Sequence, residues 1–138
     1  MIGILIVTHS RLGDALIETA ELILGTRPEA VAAVSIDLTH NVDRLRQKIS
    51  DGLRAIRSND GALILTDMFG GTPSNLSYSF LEEGRIEVLS GVNLPMLIKA
   101  LNARDKKALS ELAVELEAYG KKSISLASGI LKGNKRST

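Results

Sequence analysis

Apolar residues in this chain alternate between short unbroken runs and helically spaced stripes. The runs at 2–7 and 62–66 are almost wholly aliphatic, which suits strands covered on both faces of a parallel sheet. Segments 31–36 and 86–89 read as further strands, and 123–127 as a fifth. Between them, Leu12, Leu16, Thr19 and Ile23 line one helical stripe, and Val42, Leu45, Ile49, Leu53 and Ile56 line a second. Pro73, Leu76 and Phe80 mark a third helix with Thr72 as its N-cap. Asn93 and Pro95 open a fourth over 94–101, and Leu109, Leu112, Ala113 and Leu116 give a last helix stopped by a left-handed turn at Tyr119-Gly120.

Strand starts near 2, 31, 61 and 86 have the spacing of βαβ units, and right-handed crossovers then give an α/β fold. The expected architecture is a doubly wound, mostly parallel sheet in the flavodoxin-like order 2-1-3-4. The fifth strand differs, because Ser123, Ser125 and Ala127 alternate with Ile124 and Leu126. That half-exposed pattern marks an edge strand, and a short unpaired edge is relieved by pairing with a second subunit, so a homodimer is expected.

Composition narrows the classes of function. At 138 residues the chain is one domain, taken as 1–128, with a basic, disordered tail over 129–138. Five of the 17 Lys and Arg fall in 121–138, which leaves 12 cations against 16 carboxylates, a net −4, in residues 1–120. A body of that sign, with only two Phe and two Tyr and no Trp, is poorly built for nucleic acid. No apolar run approaches the roughly 20 residues of a membrane span, and no basic segment precedes the first one. A cytoplasmic protein without direct membrane insertion is expected. Without cysteine, and with two histidines at no ligand-like spacing, neither a metal nor another cofactor is expected.

Ligands of open α/β sheets bind outside the carboxyl ends of the strands, where the winding reverses. Residues 8–11 (THSR) follow the first strand and 67–73 (DMFGGTP) the third, so His9 and Asp67 are expected to face each other there. A carboxylate on Nδ1 fixes the imidazole tautomer with a free lone pair on Nε2, which makes the ring a nucleophile or a base. Gly70, Gly71 and Thr72 lead into the third helix, whose first amides and dipole suit an anion. Taken singly, each feature has a plainer reading: a loop histidine, a turn aspartate, a glycine turn. Their convergence on one rim favours a phosphoryl group held on histidine. Two alternatives stand beside it, a hydrolase with a His9/Asp67 dyad and Ser10 or Thr72 as nucleophile, and a receiver-like module phosphorylated on Asp67. No G-x-S-x-G elbow supports the first, and the acidic pair and lysine of a receiver are missing from the second. His40 reads as a surface or capping neighbour of the second helix.

Residues 4–13 (ILIVTHSRLG), 67–75 (DMFGGTPSN) and 91–97 (GVNLPML) stand in an order and spacing that resemble the enzyme IIA domain of the mannose class of the phosphoenolpyruvate-dependent sugar phosphotransferase system. The similarity runs over about residues 1–128. The resemblance implies a phosphotransferase in which His9 accepts a phosphoryl group on Nε2 from the phosphocarrier HPr and passes it to an enzyme IIB partner. It further implies that Asp67 orients the ring, that Gly70, Gly71, Thr72 and Ser10 contact the phosphoryl group, and that a homodimer exchanges its final strand. Met68, Thr72 and Ser74 stand where sugar-transporting members commonly carry Leu, Ser and an aromatic. Those changes leave the chemistry in place and alter the docking face.

Overall fold

The computed structural model describes residues 1–133. Its sheet has four parallel strands, β1 (Gly3–His9), β2 (Val31–Ile36), β3 (Ala62–Thr66) and β4 (Ile86–Ser90), in the order β2-β1-β3-β4. Helices α1 (Leu12–Leu24), α4 (Leu94–Ala103) and α5 (Leu109–Lys122) cover one face; α2 (Val42–Ala55) and α3 (Thr72–Tyr78) cover the other. The unbroken apolar runs follow from this layering. Ile4 and Ile6 of β1 join the core beneath α1, α4 and α5, while Leu5 and Val7 join the core beneath α2 and α3.

The chain winds from β1 outward to β2, then back past β1 to β3 and β4, so the direction reverses between β1 and β3. At the opposite end of these strands Arg104, just beyond α4 and only 5% exposed, donates to the carbonyls of Ile2 at 3.4 Å and Glu29 at 2.6 Å. It ties the start of β1 to the loop before β2.

Three local expectations about the helices are corrected. The inward stripe of α1 is Gly13, Ile17 and Ala20, with Leu16 partly buried, whereas Leu12 and Ile23 are exposed. The small residues decide this: a Cβ on Gly13 would stand 3.2 Å from the Ala33 Cβ and from the Ile6 carbonyl oxygen, so the helix lies close on the sheet there. Gly120 is buried inside α5 and does not end it, because a side chain there would meet the Met96 Cε at 2.6 Å. The N-cap of α3 is Gly71, with Thr72 the first helical residue.

The fifth strand is absent among the described residues. Ser123 caps α5, residues 124–126 run as a connection, and α6 (Ala127–Leu131) begins where the strand was expected to end. Alternation specifies a face for such a segment, and β4 offers an edge, but within one chain the two do not meet. Ile124 and Leu126 stand 80% and 76% exposed. The boundary expected at 128 falls within α6, and residues 134–138 of the expected tail lie outside the described residues.

Candidate functional site

His9 is the last residue of β1. Beyond it Ser10 takes a left-handed conformation, φ 50°, and turns the chain into α1, where the Gly13 amide donates to the Thr8 Oγ1 at 2.9 Å. The ring therefore projects from a strand end whose backbone is fixed on both sides. Asp67 follows β3 directly, and the carbonyl of Thr66 before it accepts from the amides of Gly91 and Val92, both at 3.0 Å. The Thr66 hydroxyl also donates to the Ser90 Oγ at 2.8 Å, so the ends of β3 and β4 are locked together.

One oxygen of Asp67 grips His9 twice. Its Oδ2 lies 2.8 Å from Nδ1 and accepts the His9 amide at 3.0 Å, while Oδ1 accepts the Met68 amide at 3.0 Å. An ionised carboxylate only accepts, so Nδ1 carries the proton and the neutral ring presents a lone pair at Nε2. The His9 side chain is 36% exposed and that of Asp67 12%. Burial is the largest influence on Asp67 and acts to raise its pKa. The amide and ring of His9, with the Met68 amide, outweigh it and hold the carboxyl below its ordinary value.

The sign of that shift fixes a pH dependence. A carboxyl whose pKa is lowered by folding stabilises the fold fully above its unfolded value, near 4, and loses that contribution as pH falls through the folded value. Asp67→Asn should therefore show a shallower loss of stability on acidification below about pH 4 than the parent chain. Urea midpoints measured from pH 6 down to pH 3 check it; parallel curves for the two chains would mean that the Asp67 contacts do not stabilise the fold.

The glycine loop lies against the ring. Gly70 is left-handed at φ 86°, and a Cβ on Gly71 would stand 2.9 Å from the His9 Cε1 and 3.6 Å from Nε2. Only glycine lets the backbone approach this closely. The Gly70 amide is already engaged, donating to the Ser74 Oγ at 3.1 Å, so what Gly70 contributes is the bend. Thr72 is half-buried, with its amide among those at the start of α3 that have no partner within the helix. Met68 and Phe69 form an exposed apolar rim beside the ring.

On the β2 side a pocket of about 600 Å³ is lined by His9, Ser10, Arg11, Asp37, His40 and Lys48, among others. The N-cap of α2 is Asn41, which accepts the Arg44 amide, and His40 stands next to it with Nδ1 3.4 Å from the Arg44 Nε. His40 thus shares a pocket with His9, closer than a capping neighbour need be. Sequence reasoning also passed over Ser74 as a site residue. Its signal was a hydroxyl at the third helical position behind a glycine that can offer no capping side chain. Among the described residues no three His, Asp or Glu side chains gather as a metal site, and no helix is long and apolar enough to cross a membrane.

Residues 3–117 match the family model described as PTS system fructose IIA component, PTS standing for phosphotransferase system. The fructose-specific EIIA component of Bacillus subtilis is 33% identical over 129 residues, covering 93% of this chain and 88% of that protein. The mannose-specific EIIAB component of Escherichia coli K12 is 35% identical over 128 residues; these are 89% of this chain and 39% of that longer protein. Among solved structures, the EIIA component of Streptococcus agalactiae superposes with a TM-score of 0.81 at 29% identity, covering 93% of this chain and 98% of that one. The IIA protein associated with the fucose utilisation operon of Streptococcus pneumoniae gives 0.81 at 25% identity, with 94% and 95% covered. A histidine held by a carboxylate at the rim of a 2-1-3-4 sheet, and a match through nearly the whole length, lead to one conclusion: the chain belongs to the mannose-class enzyme IIA family of the phosphotransferase system.

Proposed function

We propose that His9 accepts a phosphoryl group on Nε2 from phospho-HPr and passes it to a mannose-class enzyme IIB. The observation that carries this reading is the Nδ1 contact to Asp67 at 2.8 Å, which leaves the Nε2 lone pair toward solvent and partners. Nε2 attacks the phosphorus, the N–P bond to the donor imidazole breaks, and the donor keeps that electron pair. Positive charge developing on the His9 ring is offset by Asp67. The amides of Gly71 and Thr72 with the hydroxyls of Thr72 and Ser10 are the donors assigned to the phosphoryl oxygens, and Gly70 shapes the loop that presents them. Transfer to enzyme IIB repeats the step with His9 as the leaving group. Neither metal nor organic cofactor enters it.

The other two readings fit less well. Asp67 spends three of its lone-pair sites on His9 and Met68, and the acidic pair and lysine that a receiver needs are missing from the sequence. Among the described residues no hydroxyl hydrogen-bonds Nε2, as a serine or threonine nucleophile would require. Incubation with phosphoenolpyruvate, enzyme I and HPr, followed by intact mass, tests the proposal. One added phosphoryl group is expected, lost on adding a cognate enzyme IIB; an unchanged mass rejects it.

The homodimer belongs to the same proposal. β4 ends the sheet, its outer edge bridged by Glu82 at Ile86 with no further strand beyond it among the described residues, and Ile124 and Leu126 project from a connection able to add a strand to a second copy. Sedimentation at micromolar concentration should give a dimer mass, and truncation after Ser123 a monomer. A full-length monomer, or a truncated chain that still pairs, rejects strand exchange.

A further inference from the structure

We infer that Ser74 is a positioning residue that sets the His9 imidazole by fastening the glycine loop against it, an inference that rests on reading His9 as the phosphoryl acceptor. Ser74 is fully buried in the first turn of α3, which corrects the expectation that it forms part of the docking face. Its Oγ accepts the Gly70 amide at 3.1 Å and donates to the Gly71 carbonyl at 2.9 Å, so a single hydroxyl closes both ends of the Gly70-Gly71 step. The Gly71 carbonyl is held a second time by the Asn75 amide at 3.0 Å.

The arrangement follows from a conflict at Gly71. As N-cap of α3 the position would ordinarily carry Ser, Thr, Asp or Asn, whose side chain satisfies an amide of the first turn. Any such side chain needs a Cβ, and a Cβ there would press on the His9 Cε1 at 2.9 Å. Glycine resolves the contact with the ring and leaves the cap empty. Ser74, three residues on, supplies the missing hydroxyl from inside the helix and reaches back past the N-cap to Gly70, much as the second member of a capping box reaches back to the first. The ring then lies between Asp67 on its Nδ1 side and the pinned Gly71 backbone on its Cε1 side. Two fixed neighbours on one imidazole leave it a single orientation, with Nε2 outward.

Without the hydroxyl the exposed Gly70 amide turns to solvent for its acceptor and the left-handed step at Gly70 loses its brace. The loop moves off Cε1 and the ring gains torsional freedom. Misplacement of a reacting atom by about 1 Å can cost on the order of a hundredfold in rate. Ser74→Ala should accordingly slow phosphorylation of His9 by about tenfold or more at saturating HPr with the KM for HPr unchanged, since the docking face is untouched. Ser74→Cys, nearly the same size but a weak hydrogen-bonding group, should fall between. Ser77→Ala is the control: it removes an equally buried hydroxyl of α3, bonded to the Pro73 carbonyl at 2.6 Å, and should leave the rate alone.

A second measurement does not depend on phosphoryl transfer. Ring nitrogen chemical shifts of His9 should report one Nδ1-protonated tautomer in the parent chain and in Ser77→Ala, and an averaged pair of tautomers in Ser74→Ala. If the parent chain takes up no phosphoryl group, the functional reading fails while the nitrogen shifts still decide the positioning. Parent-like shifts and rate in Ser74→Ala, or an equal slowing in Ser77→Ala, would overturn it.

Discussion

His9→Ala is expected to take up no phosphoryl group under conditions that fully label the parent chain, while His40→Ala labels normally. The two histidines line the same pocket, so proximity does not distinguish them; their partners do. His9 is held at Nδ1 by a carboxylate, which leaves the lone pair on Nε2 and offsets the charge that grows on the ring when a bond to phosphorus forms. The His40 Nδ1 accepts from the Arg44 Nε at 3.4 Å and its Nε2 lies 3.8 Å from the Asp37 Oδ2, so its lone pair is already engaged and its other nitrogen faces a carboxylate. The label on His9 should be lost in acid and kept in base, as expected for phosphoryl on nitrogen. Intact mass before and after acid treatment reads both properties. Undiminished labelling of His9→Ala would move the acceptor elsewhere.

Gly71→Ala should reduce phosphorylation by about a hundredfold with a melting temperature close to that of the parent. The backbone permits the change: at φ −86° and ψ 169° Gly71 occupies an extended conformation open to alanine. What alanine meets is the imidazole, 2.9 Å from its Cβ at Cε1, inside ordinary contact distance. Either the ring leaves Asp67 or the loop withdraws, and both take Nε2 out of place. Gly70→Ala meets no atom within 4 Å but must adopt φ 86°, so its penalty is backbone strain of about 1 kcal/mol, read as stability. Transfer kinetics and melting curves of the two variants separate these cases, and a parent-like rate for Gly71→Ala would show that the loop yields freely.

The bounds of β2 and β3 were legible in the sequence because their apolar runs end at polar residues, and the strand order followed from spacing and handed crossovers. The meeting of His9 with Asp67 was legible for the same reason: both stand at the ends of adjacent strands. Features decided by close approach were not. Gly13, Gly71 and Gly120 each allow a contact that periodicity does not register; leaving Gly13 out of the helical stripe and reading Gly71 as a turn and Gly120 as a stop misplaced a helix face, a cap and a helix end. The role of Ser74 was hidden because a hydroxyl in a first turn is ordinary until the glycine before it is known to be pinned by a ring. The segment 123–127 forms no strand within one chain, because alternation describes a side chain's surroundings and not the edge that would receive it.

Arg104 divides the sheet between two kinds of constraint. Its guanidinium sits where the strands begin, bridging the Ile2 and Glu29 carbonyls, and burial lowers its pKa without approaching neutrality. His9 and Asp67 sit where the strands end. The bottom of the molecule is therefore a foundation whose quality is felt as resistance to unfolding, and the top is a workbench where the same contacts that add stability also set speed. A substitution at the Arg104 end leaves His9 and Asp67 their contacts, so the footing of this chain can be altered while its rim keeps the geometry that a partner meets.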